Sequence, residues 1–243
     1  MNELILCEGK TDAILLGYYM SKSMGWMFRK KGPNGLHIEC EKKNDQNTAW
    51  YQKEERYLLI ASVGGHTRFG DFFDNYIMRP IVDGNSFQKI VIVTDADGES
   101  IPDTESFINE QFTSLSDFRN GKWTQQQYCD GFAKEQVFQS FLLVIPINKQ
   151  GALETVLLDA LSGMSKSNNI IVSESKNFVY KMRNGAGREY IKSDRLELKS
   201  QLNVTFAIIS PQKVFDYIED LIRSVDWENS EIIRSCFYEL GTL

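Results

Sequence analysis

The stretch Lys89–Asp97, KIVIVTDAD, constrains this chain more than any other. Ile90 to Thr94 are all apolar or β-branched and include no turn former. Such a run fits a strand buried on both faces, as in a parallel sheet. It stops at Asp95-Ala96-Asp97-Gly98. Two carboxylates at the mouth of a buried strand lose hydration, and a hard divalent cation bound between them offsets that loss. Gly98 lets the backbone turn sharply behind them. The bland alternative is a polar turn that only caps the strand.

Other apolar runs share this design. Leu4–Cys7 (LILC) ends in Glu8-Gly9-Lys10-Thr11-Asp12. Ala13–Met20 then reads as a helix, with Thr11 or Asp12 as its N-cap. Tyr57–Val63 (YLLIASV) is a second buried strand closed by Gly64-Gly65, followed by a helical pattern over Arg68–Ile77. Gln88–Thr94 is the third strand, Asp103–Phe118 a helix, and Phe138–Ile147 a fourth strand. Gly151-Ala152-Leu153-Glu154 opens a helix that runs to about Leu161. This alternation predicts an α/β domain with a mostly parallel sheet and helices on both faces. In open sheets of that kind, ligands bind beyond the carboxyl ends of the strands. If strands one and three are neighbours, Glu8, Asp95 and Asp97 converge on one point. Three acids with few other partners describe a Mg²⁺ site. Mg²⁺ engages phosphate oxygens, so phosphodiester chemistry is the natural expectation.

Two regions stand apart from the alternation. Residues 21–57 read as a β-hairpin-like insertion, with strands at Leu36–Cys40 and Thr48–Gln52. Its aromatic residues Trp50, Tyr51 and Tyr57, with Lys53 and Arg56, either stack on nucleic-acid bases or pack on the core. Residues 166–243 read as a mostly helical extension packed on the domain of residues 1–165. Helical patterns cover Phe178–Met182, Leu196–Leu202, Val214–Ile222 after Ser210-Pro211, and Ile232–Leu240. Gly185-Ala186-Gly187, flanked by Arg183 and Arg188, is either a phosphate-contacting segment or a plain loop.

Composition removes several classes of function. With 27 Lys and Arg against 33 Asp and Glu, the formal net charge of −6 gives no global attraction to nucleic acid. A local basic patch or a metal-mediated phosphate site remains open. Cys7, Cys40, Cys129 and Cys236 lack CxxC spacing, which argues against a zinc site or disulfide framework and for a reducing cytoplasm. The chain has only two histidines, His37 and His66, which excludes chemistry built on several. His66 either touches substrate or is merely solvated. Glu99 and Asp103 either join the acids or cap the next helix. No signal peptide and no apolar stretch of membrane-spanning length is visible.

LILCEGKTDA followed by VIVTDAD resembles the TOPRIM domain of topoisomerases, primases and nucleases, which carries a glutamate after its first strand and Asp-x-Asp after its third. The likeness extends over about Met1–Leu161, interrupted by the insertion. Within that family the chain looks most similar to OLD-type (overcoming lysogenization defect) nucleases and their stand-alone defence relatives. Those have Glu-Gly-x-x-Asp/Glu at the first motif, matched by Glu8 to Asp12. They have Gly-Gly after strand two, matched by Gly64-Gly65, and a glutamate after strand four, matched by Glu154. They also use a late lysine, best matched by Lys199, with Lys176, Lys181 and Lys192 as competitors.

The resemblance implies one or two Mg²⁺ or Mn²⁺ ions. Glu8, Asp95 and Asp97 would hold the first, Asp12 and Glu154 would join a second, and Lys199 would stabilise charge on the phosphate. Two cations clamping the attacking and leaving oxygens, with lysine as a point charge, is sound chemistry for that role. OLD nucleases carry an ATPase domain, yet no GxxxxGK[ST] loop occurs here: Gly9-Lys10 and Gly121-Lys122 lack the upstream glycine. An ATPase partner would be encoded separately, and a homo-oligomer remains open. The expected function is a cytoplasmic, Mg²⁺-dependent nuclease acting on DNA or RNA in bacterial or phage-related defence. The alternatives are a non-catalytic TOPRIM-like module that binds nucleic acid or a protein, and an RNA-maturing nuclease.

Overall fold

The computed structural model describes residues 1–33, 36, 38–40, 46–78, 81, 87–113, 115, 117–129, 135–146, 151–213 and 225–243. The protein is α/β, as expected. Its strands are β1 (Asn2–Cys7), β2 (Met27–Arg29), β3 (Asn47–Lys53), β4 (Arg56–Ser62), β5 (Lys89–Asp95), β6 (Thr124–Cys129) and β7 (Glu135–Ile145). They form one seven-stranded sheet in the order β2-β3-β4-β1-β5-β7-β6. At its centre β1 runs parallel to both β4 and β5. Both flanks are antiparallel, through β2–β3 and β3–β4 on one side and β6–β7 on the other. Continuous apolar runs put β1, β4 and β5 in the middle, where both faces are covered. Polar TQQQYC, which shows no strand pattern in the sequence, forms the edge strand β6.

Alternation along the strands sends side chains to two faces. Leu4, Leu6, Leu59, Ala61, Ile90 and Ile92 share a core with Phe69, Phe72, Phe73, Ile108 and Phe112. Those aromatics come from α2 (Phe69–Phe72), which continues as a π-turn over Phe73–Ile77, and from α3 (Ile101–Glu110) with the residues after it. The opposite face takes α1 (Lys10–Ser23), which touches β3 and β4. Gly17 of α1 lies directly over the Tyr51 hydroxyl, and Tyr51 pairs with Leu58 on that face. Trp50 and Tyr51 are buried, and Tyr57 is partly buried against the core, so these three aromatics pack inward. Arg56 is spent as well: its Nη2 donates to Glu3 Oε1 at 2.6 Å and its guanidinium lies over Trp26.

Several boundaries differ from the sequence expectation. Among the described residues of Leu36–Cys40 there is no strand; the hairpin partner is β2 instead. The first helix starts at Lys10, with Gly9 as N-cap. Asp12 is therefore not the cap but the third helical residue, and its Oδ2 accepts from Gly9 N–H at 2.8 Å. The expected Asp103–Phe118 helix begins at Ile101 and stops at Glu110, with Gln111 as its C-cap. Its side chain accepts from Phe69 N–H at 3.1 Å and donates to the His66 carbonyl at 2.9 Å. The helix expected over Val214–Ile222 lies outside the described residues.

The chain divides into two compact units, Met1–Val144 with Glu239–Leu243, and Ile145–Tyr238. The second contains α4 (Leu153–Met164), α5 (Lys166–Arg183), α6 (Asp194–Ile209) and α7 (Glu231–Phe237). The first three touch one another and α7 touches α4. Ser165, Ser193 and Ser230 cap the N-termini of α5, α6 and α7 through their hydroxyls. Among the described residues no helix is long and apolar enough to cross a membrane.

Two predictions follow from the packing. A Cβ at Gly70 would stand 1.8 Å from the Gln111 carbonyl oxygen, a backbone atom with no freedom to swing away. Gly70→Ala is expected to destabilise the protein by about 1–3 kcal/mol, typical of overpacking; an unchanged urea midpoint would refute this contact. Burial, aided by Tyr18 and Cys7, pushes the Tyr51 phenol up to about 12 from its ordinary 10.0. Below the ordinary value both folded and unfolded states hold the proton. Between the two values only the unfolded chain loses it, so stability falls with rising pH by up to about 1.4 kcal/mol per unit. Denaturation across that window should be less steep in Tyr51→Phe than in the parent; equal slopes would contradict the assignment.

Candidate metal centre

The parallel register places Cys7 opposite Val93, so the next residues, Glu8 and Thr94, meet where β1 and β5 end. The Thr94 hydroxyl donates to Glu8 Oε1 at 2.6 Å, and the Asp95 backbone N–H donates to the same oxygen at 3.0 Å. One carboxylate oxygen is thereby held by two donors from the neighbouring strand. From the other side, the Glu8 carbonyl accepts from Gly64 N–H and Gly65 N–H, both at 2.9 Å. Gly64 and Gly65 have φ of 88° and 133°, values that favour glycine. The Gly-Gly expected beside the site thus acts on the backbone of Glu8.

Asp95 closes β5 and is buried, while Asp97 is exposed on the turn that follows. Asp97 and Gly98 have φ of 37° and 89°, and Glu99 N–H closes the turn on the Ala96 carbonyl at 2.8 Å. Positive φ at both central positions brings Asp97 round beside Asp95. Glu8, Asp95 and Asp97 each offer an oxygen, and all three oxygens lie within 4.8 Å of one another. Like charges this close, two of them buried, repel strongly, and a cation among them removes the repulsion. An all-carboxylate donor set suits a hard cation such as Mg²⁺ or Mn²⁺ rather than zinc.

The thiol of Cys7 lies beneath this site. Burial pushes its pKa well above the ordinary value, and the charges of Asp12, Glu8 and Asp95 push the same way. The thiol stays protonated and donates weakly to the carbonyls of Ala61 and Gly9.

The other expected site residues occupy different surroundings. Asp12 falls outside the three-carboxylate group and engages the Gly9 amide. Glu154 is half-buried in the first turn of α4, where the helix dipole favours an acid, and belongs to the second unit. Lys199 is exposed on α6 in that unit, as are Lys181 on α5 and Lys192 in the turn after it; Lys176 lies 3.9 Å from Asp159. His66 packs its ring against Phe107, 5.5 Å between centroids. Asp103 pairs with Ser100 at the start of α3. Thr94 escaped the sequence reading. Its only signal there is a hydroxyl residue directly before Asp-x-Asp in an otherwise aliphatic run.

No family model matches the chain, and no curated protein matches it. Among solved structures it is similar to a hypothetical protein, PH0156 from Pyrococcus horikoshii OT3, at a TM-score of 0.46 and 16% identity. That alignment covers 100% of this chain and 99% of the other.

Thr94→Val keeps the shape of the side chain and removes its hydrogen bond to Glu8. Loss of such a supporting contact is expected to weaken Mn²⁺ affinity by about tenfold or more. Calorimetric titration measures this; an affinity equal to the parent's, in a folded variant, would show that Thr94 does not position Glu8.

Proposed function

We propose that this protein is a Mg²⁺-dependent nuclease of the TOPRIM type that hydrolyses phosphodiester bonds of DNA or RNA. The observation that carries the reading is the convergence of Glu8, Asp95 and Asp97 at the carboxyl ends of two adjacent parallel strands. A bound divalent cation would neutralise charge on the phosphate and make water a better nucleophile at neutral pH.

The chain's own residues supply position. Glu8 is immobilised by Thr94 and the Asp95 amide, so its carboxylate needs no reorganisation when substrate arrives. Asp95 contributes a buried carboxylate at the end of β5. Asp97, on the exposed turn, reaches toward solvent, the side from which a phosphate approaches. The reading assigns the cation to these three carboxylates alone. The setting the TOPRIM likeness suggests is bacterial or phage-related defence, under a separately encoded ATPase.

A panel of plasmid, single-stranded DNA, transfer RNA and ribosomal RNA, incubated with Mg²⁺ or Mn²⁺, tests the reading. The parent should cut at least one substrate and lose that activity in a chelator. Glu8→Gln and Asp95→Asn should each lower the rate by about 100-fold or more while leaving the far-UV spectrum unchanged. Undiminished cleavage in both variants would exclude the acids from catalysis. A preference for structured RNA would select a maturation nuclease.

A further inference from the structure

The turn between α5 and α6, residues 184–193, carries Arg188 and Lys192 against one acid, Glu189, in a chain whose net charge is −6. Arg183, Asn184, Arg188, Ile191 and Lys192 line an open pocket of about 510 Å³. Arg183 is committed to holding it together. Its Nη1 donates to Asp194 Oδ1 at 2.6 Å and also to Glu197 Oε2, which ties the end of α5 to the start of α6. Arg188 and Lys192 are different: both are exposed, and neither pairs with a carboxylate among the described residues.

The backbone explains how these cations share one opening. Gly185 N–H and Gly187 N–H both donate to the Met182 carbonyl, at 3.1 and 2.8 Å, and Ile191 N–H donates to Gly187 at 2.9 Å. A Cβ at Gly187 would stand 3.0 Å from the Met182 carbonyl oxygen, so a side chain there would push the turn open by a few tenths of an ångström. Within this turn Tyr190 is 78% exposed, although its ring is largely apolar. Two cations without a carboxylate partner among the described residues, in the same turn as an aromatic ring left in water, match what single-stranded nucleic acid requires. Its phosphates take the charges and a base stacks on the ring.

We propose that this turn binds the phosphodiester backbone of single-stranded nucleic acid, through Arg188 and Lys192, with Tyr190 stacking on a base. The proposal rests on the reading that the chain acts on nucleic acid, but not on the acids assigned to cutting it. Fluorescence anisotropy of a labelled oligothymidylate with the full chain, in chelator so that nothing is cut, tests it. Arg188→Ala/Lys192→Ala should weaken binding by about tenfold and flatten the slope of log affinity against log salt by roughly 1.4, two phosphate contacts' worth. Tyr190→Ala should weaken binding about fivefold or more without changing that slope.

A double variant with the parent's affinity and slope would overturn the proposal, and so would a parent that does not bind. Inorganic phosphate that displaces the oligonucleotide at equal concentration would mark an anion site of a different kind, and would overturn it as well. Binding that needs Arg188 and Lys192 in a protein that cuts nothing keeps this site and removes the nuclease reading. Cleavage with unaltered binding in the double variant does the reverse.

Discussion

The hydrogen bonds from Thr94 and the Asp95 amide to one oxygen of Glu8 fix that carboxylate at the carboxyl ends of two central strands. They exist only because β1 and β5 pair in parallel with Cys7 opposite Val93. A slip of one residue would turn every side chain of the strand to the other face and carry Glu8 away from Thr94. The register is held in turn by burial, since Leu4, Leu6, Ile90 and Ile92 all lie in one core. Hydrophobic packing below the site thus sets the geometry of charged groups above it.

The turns around the site do complementary work. Gly64 and Gly65 direct two amides at the Glu8 carbonyl, and Asp97 and Gly98 fold the chain so that an exposed acid returns to two buried ones. Both turns require positive φ, and three of these four positions are glycine. On the core side, Gln111 binds the start of α2 and the His66 carbonyl, which steadies the segment that follows Gly64-Gly65. Fixed supports of this kind let a few carboxylates stay in one arrangement without large side-chain motions.

Much of this was legible in the sequence because buried parallel strands have a plain signature. LILC, YLLIASV and KIVIVTD are continuous apolar runs, and all three became central strands. Glu8, Asp95 and Asp97 were legible for the same reason, since Glu8 directly follows LILC and the two aspartates close the run Ile90–Thr94. The edge strands were not legible. TQQQYC is polar because an edge strand meets solvent, and MFR is too short to show a period. Asp12 had two readings, and the helix start at Lys10 turned it toward the Gly9 amide. Thr94 was hidden because its role depends on which strand lies beside β5, which local pattern does not encode.

Charge is distributed in keeping with these constraints. The carboxylates at the strand ends share a small volume, whereas Arg56 and Arg183 are paired with acids. The central claim is that Glu8, Asp95 and Asp97 together hold one divalent cation. The most direct measurement is anomalous diffraction from a crystal of the parent soaked in Mn²⁺. The account predicts a peak in contact with all three carboxylates, lost in Asp95→Asn. A Mn²⁺-saturated crystal with no peak among these three residues would contradict it.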